Sequence, residues 1–410
     1  MKRGMLSDHF AAFAAKRLSV VDADPEKSNQ HEVTGSKELR QILGDEDRKK
    51  ENRFPATYIW FGGEQEAMSE EGRLAWYDSR ANKPRAAERR LYYQTNGVTS
   101  LMRPGDTLFL ARRRDDQLFF IVTPEGSTIE SQLLWLFGLN EQPGLQFEQR
   151  EVTPDNDAEL DFAARYILDE LGIDAEEPEA DRLDGLIVRF GLKFPTTKVF
   201  SELARKSLPE VDPRDCPDAA LLAWMEREEL LFRRLERHIV AERISSGFLA
   251  ANGADVDGFL GFSLSVQNRR KARAGQALEN HLEAVFTALG VQYARGAETE
   301  NKNKPDFLFP GPQAYHDDMY PRELLTMLGA KSTLKDRWRQ VLSEAERIDD
   351  KHLLTLSPGI SENQTDEMRA KRLQLVVPSG LHSTYRPTQQ SWLMSLGQFI
   401  ALVDGRQSRI

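Results

Sequence analysis

An α/β domain with a mixed sheet, preceded by a mostly β N-terminal domain, is the architecture predicted for this 410-residue chain. Three observations predict it. Between Thr57 and Val122, aromatic and β-branched runs (TYIWF, LAWYDSR, RRLYYQT, TLFLARRR, QLFFIV) are punctuated by GG, NG and DD, the pattern of short strands and tight turns in a barrel or sandwich. From Ala219 onward, helical periodicities alternate with short apolar runs, as in an α/β sheet. Between these regions, Asp169 to Asp184 (DELGIDAEEPEADRLD) is acidic with little apolar periodicity, which reads as a solvated linker. The boundaries that follow are 1–165 for the β-rich domain, 166–185 for the linker and 186–410 for the α/β domain.

Taken in order, residues 5–18 have Leu6, Phe10, Phe13 and Leu18 near one side of a helical projection and predict an amphipathic helix. Polar residues 22–36 read as a loop, and the strands named above come next. In the second domain, Ala219 to Ile244 predicts a long helix with Leu221, Leu222, Met225, Leu231, Leu235 and Ile239 on its apolar side. A helix at 275–289 buries Leu278, Leu282, Val285 and Leu289. Two short strands, one opened by Asp306 and one leading to Lys331, precede a helix that runs through Glu344. Strands at 352–356 and 373–377 and a last helix at 390–402 complete the domain.

Composition narrows the function. A net charge of −10 argues against general coating of nucleic acid, since phosphate binding rests on clustered Lys and Arg, but leaves local basic surfaces open. One cysteine, Cys216, rules out an intrachain disulfide or a thiolate zinc site and fits a reducing cytoplasm. The N-terminus lacks the apolar core of a signal peptide and no stretch reaches the length of a membrane span, so a soluble, cytoplasmic protein is expected.

The chemistry concentrates in KPDFLFP and GAKSTLKDRWRQVLSEAERI. Hydrolysis of a phosphodiester needs a cation to polarise the phosphoryl oxygen and acidify water, and Mg²⁺ takes a few carboxylates plus waters. Asp306 and Glu344 are the candidate carboxylates, with Lys331 placed to orient or deprotonate water or to offset negative charge. Glu279, at the margin of the 275–289 helix, is a candidate third acid, or an ordinary boundary glutamate. Lys335, Asp336 and Arg337 are suited to G·C pairs in the major groove, although such a triplet alone is usually a solvated helix start. On a continuous helix Arg337 and Glu344 would share one face, about 10 Å apart. Arg269, Arg270, Lys271 and Arg273 form a local positive cluster suited to phosphates. In the first domain the run from Arg80 to Arg90, interleaved with Trp76, Tyr77, Tyr92 and Tyr93, reads either as a groove-binding edge or as a solvated loop over core aromatics.

These blocks, with SVQNRRKARAGQALENHLEAVF and LQLVVPSGLH, resemble the catalytic domain of the EcoRII-type (type IIE) restriction endonucleases. The likeness runs with gaps from about Phe194 to Leu402. It implies a restriction-endonuclease-like (PD-(D/E)xK) fold, Mg²⁺-dependent cleavage of double-stranded DNA, metal or catalytic roles for Glu279, Asp306, Lys331 and Glu344, and Tyr315 beside the site. It further implies that Lys335, Asp336 and Arg337 read CC/GG half-sites, that the protein is a homodimer, and that a cognate DNA methyltransferase belongs to the same system. A looser N-terminal likeness (HEVTGSKELRQIL and the 71–97 segment) implies a DNA-binding pseudobarrel that regulates cutting, with His31, Arg80, Lys83, Arg85, Arg89 and Arg90 as DNA contacts. The alternative is a DNA-binding regulator or modified-DNA sensor whose nuclease fold is inactive or differently triggered.

Overall fold

The structure, a computed structural model, describes residues 5–23, 31–45, 47–62, 67–173, 180–250, 253–334 and 338–409. The N-terminal unit is one eight-stranded sheet built from β1 (Phe10–Arg17), β2 (Glu32–Thr34), β3 (Asn52–Trp60), β4 (Met68–Asp78), β5 (Arg89–Tyr93), β6 (Thr107–Arg113), β7 (Leu118–Thr123) and β8 (Glu148–Glu151). Its order is β2-β5-β4-β3-β7-β6-β1-β8. Every pairing is antiparallel except β3 with β7.

This sheet curls into a pseudobarrel, and its two faces bury different residues. Ala14, Tyr58, Trp76, Tyr93, Leu110 and Phe120 fill the inside. Phe13, Ile59, Phe109, Phe119 and Ile121 form a second core on the outside, under helices α2 (Thr128–Phe137) and α3 (Phe162–Glu170), which follow α1 (Lys37–Leu43) in the chain. Strands buried on both faces read as continuous apolar runs rather than alternating ones, which is why LFFIVT is apolar throughout.

The same two-sided burial overturns the helix expected at 5–18. Only Leu6–Asp8 winds, as one 3-10 turn, and Phe10–Arg17 is a strand. Alanine's helical preference is weak per residue. Here β6 and β8 take the backbone from either side, while Phe10 and Phe13 reach one core and Ala12 and Ala14 the other.

The expected linker is helical at both ends. Helix α3 runs to Glu170 with Ile167 and Leu168 buried in the outer core, and α4 (Ala180–Ile187) begins the next unit. Residues 174–179 lie outside the described residues. Helices α4, α5 (Thr197–Lys206) and α6 (Pro217–Ser245) share a satellite core of Leu183, Ile187, Phe200, Leu203, Leu231, Phe232 and Leu235.

A small hairpin, β9 (Leu249–Ala250) and β10 (Gly253–Ala254), joins α6 to α7 (Val256–Ala288). The expected 275–289 helix is therefore the last part of a much longer one, and the basic cluster at 269–273 lies within it rather than at its start. The second sheet orders β11 (Ala294–Arg295), β12 (Phe307–Phe309), β13 (Thr326–Lys331), β14 (Lys351–Thr355) and β15 (Leu373–Val376), antiparallel up to β13 and parallel beyond it. Phe286 of α7 packs on Phe307, Phe309 and Phe399, the last from the final helix. That final helix is Leu396–Gln407, later than the expected 390–402, because Pro387–Gln390 forms its own turn and the Met394 backbone then joins β15 before Ser395 caps the new helix. No helix among the described residues is long and apolar enough to cross a membrane.

Candidate active site

Asp306, Lys331 and Glu344 converge at one end of the mixed sheet. In the β12–β13 ladder Phe307 pairs with Leu328, so the next position places Asp306 opposite Gly329 and diagonal to Lys331 on one face. The contacts agree: Asp306 Oδ2 accepts from the Ala330 N–H at 2.7 Å and from Lys331 Nζ at 2.8 Å. Gly329 is needed for packing, since a Cβ there would lie 2.9 Å from Val341, whose one-turn helix Trp338–Val341 rests on the strand.

Glu344 follows that short helix. The continuous helix expected to set Arg337 and Glu344 on one face is not formed, because the N–H groups that would extend it are taken elsewhere. Glu300 Oε2 accepts from the Glu346 N–H at 3.2 Å and the Tyr315 hydroxyl accepts from the Arg347 N–H at 3.2 Å. Ala345 turns to φ 52°, in the left-handed region, and Lys351 Nζ donates to the Ala345 and Ile348 carbonyls at 3.1 and 2.9 Å. The chain thus bends and delivers the Glu344 side chain toward Asp306. Glu344 Oε2 is buried and has no hydrogen-bond partner among the described residues. Burial, reinforced by the charge of Asp306, pushes the Glu344 carboxyl up to about 7, while Lys331 and Lys351 oppose the shift.

Glu279 stands at the margin of the site. Arg295 engages its Oε2 through Nε at 3.1 Å and through a terminal nitrogen at 2.8 Å. Burial raises its carboxyl, the Arg295 bond lowers it and the nearby Asp306 charge raises it again, for a net upward shift. Among the described residues no three His, Cys, Asp or Glu side chains gather as a metal-holding group. Of the three candidate carboxylates, Asp306 raises the Glu344 carboxyl by its charge, while Glu279 is held by Arg295. Tyr315 is buried, its hydroxyl donating to Glu300 at 2.5 Å, and supports the Glu344 turn.

Lys335, Asp336 and Arg337 lie outside the described residues, as does the Lys271 side chain. The basic cluster on α7 is largely committed: Arg270 pairs with Glu236 at 2.5 Å, and Arg273 is buried against Glu228 and Glu229 of α6. Arg269 stacks over Phe194. The arginines at 270 and 273 thus tie α6 to α7, a role that a linear run of charges does not reveal.

On the pseudobarrel, Trp76 and Tyr93 are core residues, while Tyr77 is half-buried and Tyr92 exposed. Arg89 is buried, bonded to Asp45 at 2.8 Å, so it belongs to the framework rather than to an outer edge. Glu88 pairs with both Arg80 and Arg90. Lys83 and Arg85 project from the 79–88 loop, and His31 packs edge-on against Tyr93. The loop has a foundation that no motif in the chain singles out. Buried Asp78 accepts from the Arg80 and Glu88 N–H groups at 2.9 Å each and from Arg48 at 2.7 Å, and Arg48 also reaches the carbonyls of Arg80 and Arg85. Burial alone would raise the Asp78 carboxyl, but these donors bring it down to about 2.

Residues 232–400 match the protein family described as EcoRII C terminal. Over 190 residues the chain is 46% identical to the type II restriction enzyme EcoRII of Escherichia coli, a match covering 46% of each chain. Over 110 residues it is 32% identical to the type II restriction enzyme SsoII of Shigella sonnei, covering 24% of this chain and 35% of that relative. The chain thus spans less than half the length of the curated relatives it matches. Among solved structures, a complex of the restriction endonuclease PspGI with substrate DNA is similar at a TM-score of 0.44 and 13% identity, covering 53% of this chain and 95% of that one.

Proposed function

We propose that residues 232–400, which match the family described as EcoRII C terminal, form a restriction-endonuclease-like domain, and that the protein is a type II, site-specific deoxyribonuclease dependent on Mg²⁺. The observation that carries this reading is the meeting of Asp306, Lys331 and a buried, unpartnered Glu344 oxygen at the end of two adjacent strands. Those donors suit a hard divalent cation. Two carboxylates leave room for waters and phosphate oxygens, and a positive charge between them would relieve both the orphaned oxygen and the repulsion that raises Glu344. When bound, the cation supplies polarisation of the scissile phosphoryl oxygen and acidification of the attacking water. Lys331, kept in place by Asp306, orients that water or offsets charge on the phosphate. Glu344 must ionise to join Asp306. Glu279, drawn away by Arg295, serves as an outer acid.

Lys335, Asp336 and Arg337 directly precede the Trp338–Val341 helix and are the candidate readers of a CC/GG-containing site on double-stranded DNA. The pseudobarrel is a second DNA-binding unit, with Lys83 and Arg85 exposed on its pinned loop, and its contact with the catalytic domain regulates cutting. The protein acts in the cytoplasm as a homodimer beside a cognate methyltransferase.

A plasmid digest with Lys331→Ala tests the reading. Duplex binding stays near wild type while Mg²⁺-dependent cleavage drops by about a thousand-fold or more, a loss of roughly 4 kcal/mol of transition-state stabilisation. Sequenced ends of the wild-type digest reveal the site, and prior methylation of that site protects it. Cutting by Lys331→Ala at the wild-type rate would remove the assignment. Specific duplex binding without Mg²⁺-dependent cutting by the wild type would favour a DNA-binding regulator instead.

A further inference from the structure

Asp306 and Glu344 stand on separate elements, so something must set the distance between them. The turn that carries Glu344 is held by side chains from one short segment. Asn303 Nδ2 donates to the Ser343 carbonyl at 2.8 Å, and Glu300 Oε2 accepts the Glu346 N–H at 3.2 Å and the Tyr315 hydroxyl at 2.5 Å. Asn301 Nδ2 donates to the Glu346 side chain at 3.0 Å. Backbone positions on either side of Glu344 are therefore fixed by residues 300–303.

That segment runs directly into Asp306. It is wound tightly, with Asn301 and Lys302 at φ 57° and 61° and the Thr299 N–H donating to the Asn303 carbonyl at 2.8 Å. Consecutive L residues in the left-handed region are costly and persist only where their surroundings over-determine them. Here the surroundings are the bonds to the Glu344 turn on one side and the β12 strand on the other.

We propose that the 299–303 turn is a strut that sets the separation of Asp306 and Glu344, with Glu300 as a positioning residue for the Glu344 carboxylate and Asn303 as its second anchor. The inference rests on reading Asp306 and Glu344 as a cation-holding pair. In this reading neither residue is a ligand of the cation. Their effect falls on how well the pair is preorganised for an ion.

The test uses the full chain. Two quantities are measured for Glu300→Ala: the Mg²⁺ concentration giving half-maximal cleavage, and the gain in duplex affinity, by fluorescence anisotropy, when EDTA is replaced by Ca²⁺. The half-maximal Mg²⁺ concentration rises about ten-fold or more, the Ca²⁺ gain is largely lost, and affinity in EDTA is unchanged. Glu300→Gln, whose single amide oxygen can accept both bonds that now reach Oε2, returns both readouts toward wild type. Asn303→Ala shifts them in the same direction by less, and decides the matter if Glu300→Ala fails to fold. A folded alanine variant with the wild-type Mg²⁺ midpoint and Ca²⁺ gain overturns the strut. Asp306→Asn is run alongside: if it still cuts, the cation-pair reading itself fails, whereas its inactivity beside wild-type alanine variants sinks the strut alone.

Discussion

At Glu344 the fold favours the protonated acid, the form that the proposed cation site cannot use. Burial and the neighbouring Asp306 charge lift the carboxyl from the ordinary glutamate range to about 7. A folded-state pKa above the unfolded one means that the native state binds the proton more tightly. The associated stability is present below the unfolded pKa, near 4.5, and is lost as pH rises through about 7. In EDTA, the thermal midpoint of the wild type therefore falls between about pH 5 and 8 relative to Glu344→Gln, which carries no proton to lose. With Mg²⁺ present the order reverses: cleavage rises with pH through this window, most steeply when Mg²⁺ is scarce, because the cation competes with a proton for the same oxygen. Parallel stability curves for wild type and Glu344→Gln in EDTA would remove the buried-acid assignment. The motif grouped Glu344 with Asp306 and Lys331 but could not foresee this value, which comes first from burial of the carboxyl and then from the Asp306 charge, with Lys331 and Lys351 opposing.

Among the elements, those whose periodicity matched their surroundings were readable and those overruled by distant partners were not. Strands β3 to β7, helix α6 and strands β12 to β15 lie close to where apolar spacing placed them. FAAFAA misled because alanine suits a helix only where nothing else competes, and both sheet faces claim it. The 338–348 segment misled because Glu300 and Tyr315, remote in sequence, take its N–H groups. Helix α7 extends beyond its buried half, and the extension leaves Val256, Phe259, Leu260 and Leu264 exposed at i, i+3, i+4 and i+8, one apolar face. Leu249 and Ile244 at the tip of the α6–α7 hairpin are exposed as well. The proposed homodimer gives this face a partner, since a self-complementary helix surface suits a two-fold contact. Phe259→Asp combined with Leu260→Asp then shifts the protein toward monomer in sedimentation at micromolar concentration. It costs little thermal stability in the remaining chain, because the two positions are exposed in one copy. An unchanged sedimentation coefficient would place the dimer contact elsewhere.

Across the whole molecule, the two units meet where regulation would be most direct. Helix α2, whose inner face belongs to the outer core of the pseudobarrel, turns Thr128 and Gln132 toward the 357–364 segment of the second unit. Gln132 Nε2 donates to the Pro358 carbonyl at 2.6 Å. The Thr128 hydroxyl donates to Gln364 at 3.0 Å and accepts the Ser361 N–H at 3.1 Å. The same segment continues to the active-site region: Ser357 Oγ accepts the Leu334 N–H at 3.2 Å, next to Lys335, Asp336 and Arg337. A cavity of about 260 Å³ lies between the units, lined by Ile129, Tyr166, Leu334, Ser357 and Ile360 among others. Displacing the pseudobarrel would therefore strain the Ser357 contact to Leu334, which precedes the triplet proposed to read the site. Each interdomain hydrogen bond contributes roughly 0.5–1.5 kcal/mol, so removing two or three shifts a closed-to-open balance on the order of ten-fold. Thr128→Ala with Gln132→Ala, both at the contact and neither at the catalytic end, thus raises the rate of cutting on a plasmid with one site by about that factor. On the proposed regulatory reading a second duplex bound to the pseudobarrel opens the same contact, so at saturation the double variant and the wild type cut at nearly the same rate. If the double variant cuts the one-site plasmid at the wild-type rate, the α2 contact holds the units together without controlling the nuclease.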